Sequence, residues 1–106
     1  MNDFILIGRC LNDAVLNQTA NGIAFTNLQI QAERPRRKDE ELPEYEIYNV
    51  TFWQKMAEEI VKHRYSDCLM AIKGRLRANN FTKDDDDTIY RCELVGEKLA
   101  VMSEAH

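Results

Sequence analysis

A chain of 106 residues, 44% hydrophobic and 30% charged, is long enough to bury one core without disulfide or metal staples and short for two, so residues 1–106 read as a single domain. No apolar run reaches membrane-spanning length and no basic-then-apolar leader opens the chain, which predicts a cytosolic protein. The net charge of −4 argues against nucleic acid only as a total: acid collects in KDEELPEYE and KDDDDT, while RPRRK (34–38) and IKGRLR (72–77) are basic, and local patches make the electrostatic footprint.

FILIGRCL is a short, nearly continuous apolar run, strand by its length and its Gly8. Asn21-Gly22 then stands between two extended pieces, a strong hairpin signal. From Ile23 to Ala32 a strand continues, but Phe25 falls on one parity and Leu28 and Ile30 on the other; a bulge or bend is expected to reconcile them. ERPRRKDEELPE, with two prolines and many charges, is a solvated loop. YEIYNVTFW is extended again, and Gln54 to Arg64 carries Met56, Ala57, Ile60 and Val61 at helical spacing. That short helix is expected to close the bottom of a barrel. CLMAIKGRLRANNF is a long strand, TKDDDD a loop, and TIYRCELVGEKLAVM the closing extended region. Three strands, one helix and two strands predict an all-β, five-stranded Greek-key barrel of the OB-fold, with the helix between strands three and four. An open mixed sheet with a covering helix is the competing architecture.

Side chains on a strand alternate between faces. In the third strand Tyr48, Val50 and Phe52 form the core row, so Trp53 projects from the more polar side with Ile47, Asn49 and Thr51. In the fourth, Met70, Ile72, Gly74, Leu76 and Ala78 form the apolar face; opposite them stand Lys73, Arg75, Arg77, Asn79 and Phe81. Two polar faces that each bear a large ring and hydrogen-bonding or cationic groups suit single-stranded nucleic acid, because cations follow phosphates and rings stack on unpaired bases. Ordinary solvation of an outer face, or a Trp53 that plugs an oligomer contact, also accounts for the pattern. Tyr65 and Tyr90 read as structural.

Other residue types give little chemistry. Cys10, Cys68 and Cys92 are odd in number and lack a C-x-x-C spacing, so reduced and mostly buried thiols are expected. His63 and His106 stand far apart. Asp84 to Asp87 read as a solvated loop tip, since adjacent carboxylates repel and seldom converge on one ion. No nucleophile with a placed base, metal spacing or phosphate-binding Gly loop is visible. Neither an enzyme nor a bound cofactor or metal is expected.

Taken together in order, these pieces resemble the bacterial single-stranded DNA-binding protein family from Phe4 through Val101. LIGRCLNDAVL is similar to its opening strand, with Gly8-Arg9, Leu11, Asp13 and Leu16, and TANGIAF to its T-x-N-G hairpin. Ala32 with Arg34, YNVTFWQKMAEEI, IKGRLRANNF and CELVGEKLAVM resemble the segments that follow. The resemblance implies an OB-fold homotetramer that binds single-stranded DNA without sequence preference in replication, recombination and repair. Carried over position by position, it makes Trp53 and Phe81 base-stacking rings and Lys55 and Arg75 groove cations. Lys73, Arg77 and Asn79 extend that row, and Arg34, Arg36 and Arg37 form a candidate phosphate clamp or simply mobile surface.

The chain also departs from the family. Pro35 and Ile47 stand where the family often has aromatics, and Ser66-Asp67 where Lys-Gly is expected. The end, VMSEAH, shows no Gly/Pro/Gln-rich linker or acidic, Phe-ended tail; a removed tail and a tail-less paralogue both stay open. A short relative, primosomal replication protein N, which favours a dimer and binds DNA more weakly, is the alternative within the binding class. An OB-fold module for protein interaction, its rings buried at an interface, is the alternative outside it. The apolar FILIG strand predicts oligomerisation under every reading.

Overall fold

The computed structural model of the chain describes residues 1–39, 41–83 and 86–104. Its elements run β1 (Phe4–Cys10), β2 (Asn17–Gln18), β3 (Ala24–Glu33), β4 (Tyr45–Trp53), α1 (Gln54–Ile60), β5 (Leu69–Ala78), β6 (Phe81–Thr82), β7 (Thr88–Ile89) and β8 (Cys92–Ser103). Hydrogen-bonded neighbours follow the order β1-β5-β8-β4-β3, and β3 pairs back onto β1. Among the described residues five long strands therefore close into a barrel. The pairing of β4 with β8 is parallel and short, Val50 with Leu94 and Thr51 with Val95; the other barrel pairs are antiparallel. With α1 lying between β4 and β5, the third and fourth long strands, this is the expected OB-fold.

Parity places the core. Leu28 and Ile30 of β3, Val50 and Phe52 of β4, and Met70 and Ile72 of β5 are fully buried and pack with Cys10, Cys68 and Ile60. The seven-residue α1 is too short to hold itself together in water. It stands because Ala57 and Ile60 are buried and Met56 packs on the core, which closes one end of the barrel as expected. It stops at Ile60, four residues before the predicted end. Lys62 and His63 instead donate their N–H groups to the carbonyls of Glu59 and Ile60, the tighter bonds with which helices finish. Among the described residues no helix is long and apolar enough to cross a membrane.

The expected bulge in β3 is absent. From Phe25 opposite Trp53 to Glu33 opposite Tyr45 the register with β4 is unbroken. Thr26 takes the inward position next to Phe25, fully buried, its hydroxyl donating to the Val15 carbonyl at 2.8 Å. Phe25 is simply an outward ring. The irregularities lie between β5 and β8, at Leu69/Met70 and Lys73/Gly74. A Cβ on Gly74 would land on the Val95 carbonyl oxygen, so the close approach of the two strands requires glycine there.

The Asn21-Gly22 turn forms as predicted. Gly22 has φ +81°, its N–H reaches the Thr19 carbonyl at 2.9 Å, and Asn17 and Gln18 pair with Phe25 and Ala24. Leu76, predicted on the apolar face of β5, is 38% exposed because the strand runs on past the end of the core. Tyr90, read as structural, is 77% exposed beside the start of β8, whereas Tyr65 does pack on the core. Cys10 and Cys68 are buried; Cys92 is exposed.

The seam that closes the barrel is short, Arg9 with Gln31 and Cys10 with Ile30. Asn12 lengthens it: its Oδ1 accepts the Gln29 N–H at 2.8 Å and its Nδ2 donates to the Asn27 carbonyl at 3.2 Å. Asn12→Ala removes both bonds, each worth about 0.5–1.5 kcal/mol, which is read as a lower urea midpoint with an unchanged slope.

Candidate nucleic-acid interface

The site is built where β4 ends. Trp53 is its last residue, projects outward as parity requires, and is half-buried. Two groups contact the indole. Phe25, its direct cross-strand partner, lies with ring centroids 5.3 Å apart and planes tilted by 40°. Arg77 places its guanidinium carbon 5.3 Å from the indole centroid, within the range of a cation–π contact. Because β8 lies between β5 and β4, Arg77 reaches this ring across the intervening strand. Glu93 of β8, opposite Arg77 in register, holds it there with Oε2 3.0 Å from the arginine Nε. The indole Nε1–H is buried and has no hydrogen-bond partner among the described residues.

Two open grooves meet at this ring. The first, about 650 Å³, is lined among others by Ile47, Asn49, Trp53, Arg77, Asn79 and Arg91. The second, about 540 Å³, includes Thr19, Asn21, Gln54 and Arg75, and shares Trp53 and Arg77 with the first. Val95, buried outside the core cluster, also lines the second groove. Gln54, the first residue of α1, sits in the left-handed region at φ +55°. The first groove also takes in Tyr48, whose phenol is pushed up, first by burial and then by its hydrogen bond to Glu46, and remains a donor at neutral pH.

Of the residues singled out from the sequence, the fold brings Trp53, Arg75, Arg77 and Asn79 to these grooves. Phe81 is exposed on the small β6–β7 hairpin beyond β5, with the guanidinium carbon of Arg91 5.1 Å from its ring centroid. The Asn79 N–H to Arg91 carbonyl bond, 2.9 Å, ties the neck of that hairpin. Lys55 is exposed in the first turn of α1. Lys73 belongs to a different place, a hollow of about 350 Å³ shared with Ile5, Ala71, Leu99 and Ala100. Arg34 is bound to Glu44, Nη2 to Oε2 2.6 Å, and Arg36 lies 3.6 Å from Glu33. Neither groove counts Arg34, Arg36 or Arg37 among its described lining residues.

Sequence reasoning missed Phe25, Arg91 and Glu93. For Phe25 the signal was present, since its parity opposite to Leu28 already put it on the outer face. Arg91 and Glu93 are set by barrel closure, which parity within one strand does not reach. Of the acidic run, Asp84 and Asp85 lie outside the described residues, as does His106; Asp86 and Asp87 are exposed, and the Asp86 N–H bonds the Lys83 carbonyl in a turn. Among the described residues no three His, Cys, Asp or Glu side chains are grouped to hold a metal.

The sequence model of the Single-strand binding protein family matches residues 1–102. The chain is 28% identical over 99 residues to the single-stranded DNA-binding protein of Oceanobacillus iheyensis, covering 93% of this chain and 62% of that one. It is 28% identical to the Bacillus cereus protein of the same name, covering 93% and 58%. To single-stranded DNA-binding protein 1 of Streptococcus pyogenes it is 26% identical over 102 residues, covering 96% and 78%. The chain thus spans about three fifths of the length of the first two relatives. With a family match over nearly its whole length on a closed five-stranded barrel, the chain belongs to the Single-strand binding protein family.

Proposed function

We propose that the protein binds single-stranded DNA without sequence preference, stacking unpaired bases on Trp53 and holding phosphates with Arg75, Arg77 and Arg91, in the service of replication, recombination and repair. The observation that carries this is one aromatic ring standing where two cation-lined grooves meet on the outside of the barrel. The names of the relatives support it. Phe81 adds a second stacking ring, and Asn79 a hydrogen-bonding group beside the bases. Lys55 and Lys73 act as outlying phosphate contacts, and the loop of Arg34, Arg36 and Arg37 as a distal one. Such a protein works in the bacterial cytoplasm, at the nucleoid.

Trp53 is the only Trp, so its fluorescence reports the site. Oligo-dT is expected to quench it. Three groove cations displacing counterions give log K against log salt a slope of about −2, and the outlying and distal contacts should steepen it. A titration with neither quenching nor salt dependence overturns the reading.

We also propose self-association into a homotetramer, with a dimer as the alternative. Ile5 and Ile7, 73% and 53% exposed, stand on the outer face of β1. Ile5 lines the same hollow as Ala71, Leu99 and Ala100, and an apolar surface of this kind favours association. Sedimentation equilibrium separates four copies from two and from one.

A further inference from the structure

Stacking and covering compete for the same ring. A base that stacks on an indole needs van der Waals contact with its face, and the Arg77 guanidinium already sits over that ring. Phe25, the other neighbour, is fixed by the β3–β4 register. Arg77 is a long flexible side chain, anchored at the far end by Glu93. Of the two, Arg77 is the one able to leave. The buried, unpartnered indole N–H is a second sign that the free arrangement is incomplete, since buried donors are ordinarily satisfied.

We propose that Arg77 and Glu93 form a built-in cover of the Trp53 stacking face, which DNA must displace, and that Glu93 thereby sets the affinity of the protein for single strands. The inference rests on the reading of the two grooves as the path of DNA. In the free protein the guanidinium lies over the indole and separates the grooves, since both share Trp53 and Arg77. When a strand arrives, a phosphate replaces the Glu93 carboxylate as the partner of Arg77, the guanidinium leaves the ring, and a base takes its place. A ligand that binds only the uncovered form has its apparent affinity lowered by the uncovered fraction. One exposed cation–π contact and one partly exposed ion pair leave that fraction at roughly a tenth to a third.

The test uses three substitutions and two measurements on the whole chain. Glu93→Gln removes the anchor. Arg77→Lys keeps the charge and removes the planar group. Glu97→Gln removes an exposed acid that lines the second groove, and so gives the plain effect of one less negative charge. Acrylamide quenching of Trp53 is measured without DNA, and oligo-dT affinity is measured by titration. Both Glu93→Gln and Arg77→Lys are expected to make Trp53 more accessible to acrylamide. Glu93→Gln should tighten oligo-dT binding more than Glu97→Gln does, up to the ceiling of about three- to tenfold set by the reciprocal of the uncovered fraction, while Glu97→Gln leaves acrylamide access unchanged. Acrylamide access to Trp53 that Arg77→Lys leaves unchanged overturns the cover. So does a Glu93→Gln affinity no greater than that of Glu97→Gln. If the unaltered protein fails to bind oligo-dT, the site reading falls; the acrylamide measurement still decides whether Arg77 shields the indole.

Discussion

Trp53→Ala is expected to weaken oligo-dT binding by about 5- to 150-fold, because a stacked base is worth ~1–3 kcal/mol by truncation. The fold should survive. The ring stands half-buried on the outer face, apart from the core cluster. Phe25 loses its ring partner and Arg77 its cation–π contact, but Arg77 keeps Glu93. Trp53→Phe should recover part of the affinity, since a smaller ring still offers a face. The same substitution separates the functional classes. If the barrel were instead a protein-interaction module with its rings at an interface, Trp53→Ala would dissociate the assembly in sedimentation and leave DNA affinity untouched.

One residue earlier the consequence reverses. Phe52 is fully buried, the largest side chain of the sealed core, and a Cβ added to Gly96 of β8 would fall on its ring. Phe52→Ala is expected to cost about 3–5 kcal/mol, the transfer loss plus the cavity left behind. Against the 5–15 kcal/mol typical of a whole domain, that brings the protein close to unfolding at growth temperature. Urea denaturation checks it. A loss below about 1 kcal/mol would show that the ring is not enclosed as described, for core aromatics seldom go so cheaply. Neighbours in the chain thus govern different properties, Phe52 stability and Trp53 binding.

That contrast was legible from sequence because it depends on strand parity alone. The alternation along YNVTFW assigns inside and outside without reference to any partner. The Asn21-Gly22 hairpin and the place of α1 were legible for similar reasons, local turn chemistry and local periodicity. What depends on strands meeting was not. Arg77 and Trp53 lie on strands separated by a third, and only the order β5-β8-β4 brings the guanidinium over the indole. Nor was the pairing of Arg34 with Glu44 legible, for they stand at opposite ends of a charged loop that the Arg34 N–H to Glu44 carbonyl bond of 2.8 Å draws together. Phe25 was read through the assumption that a large ring in a strand belongs inside. The fold instead puts Thr26 there, its hydroxyl satisfied, and leaves Phe25 to support Trp53.

The distribution of the three thiols has a practical use. Burial seals Cys10 and Cys68 inside the barrel and pushes the Cys10 thiol up, out of the reactive thiolate range, while Cys92 opens onto the first groove beside Arg91. Maleimide chemistry on the native chain therefore has one attachment point. A dye conjugated there sits on the wall of that groove, close enough to sense a strand threading past, without engineering a single codon.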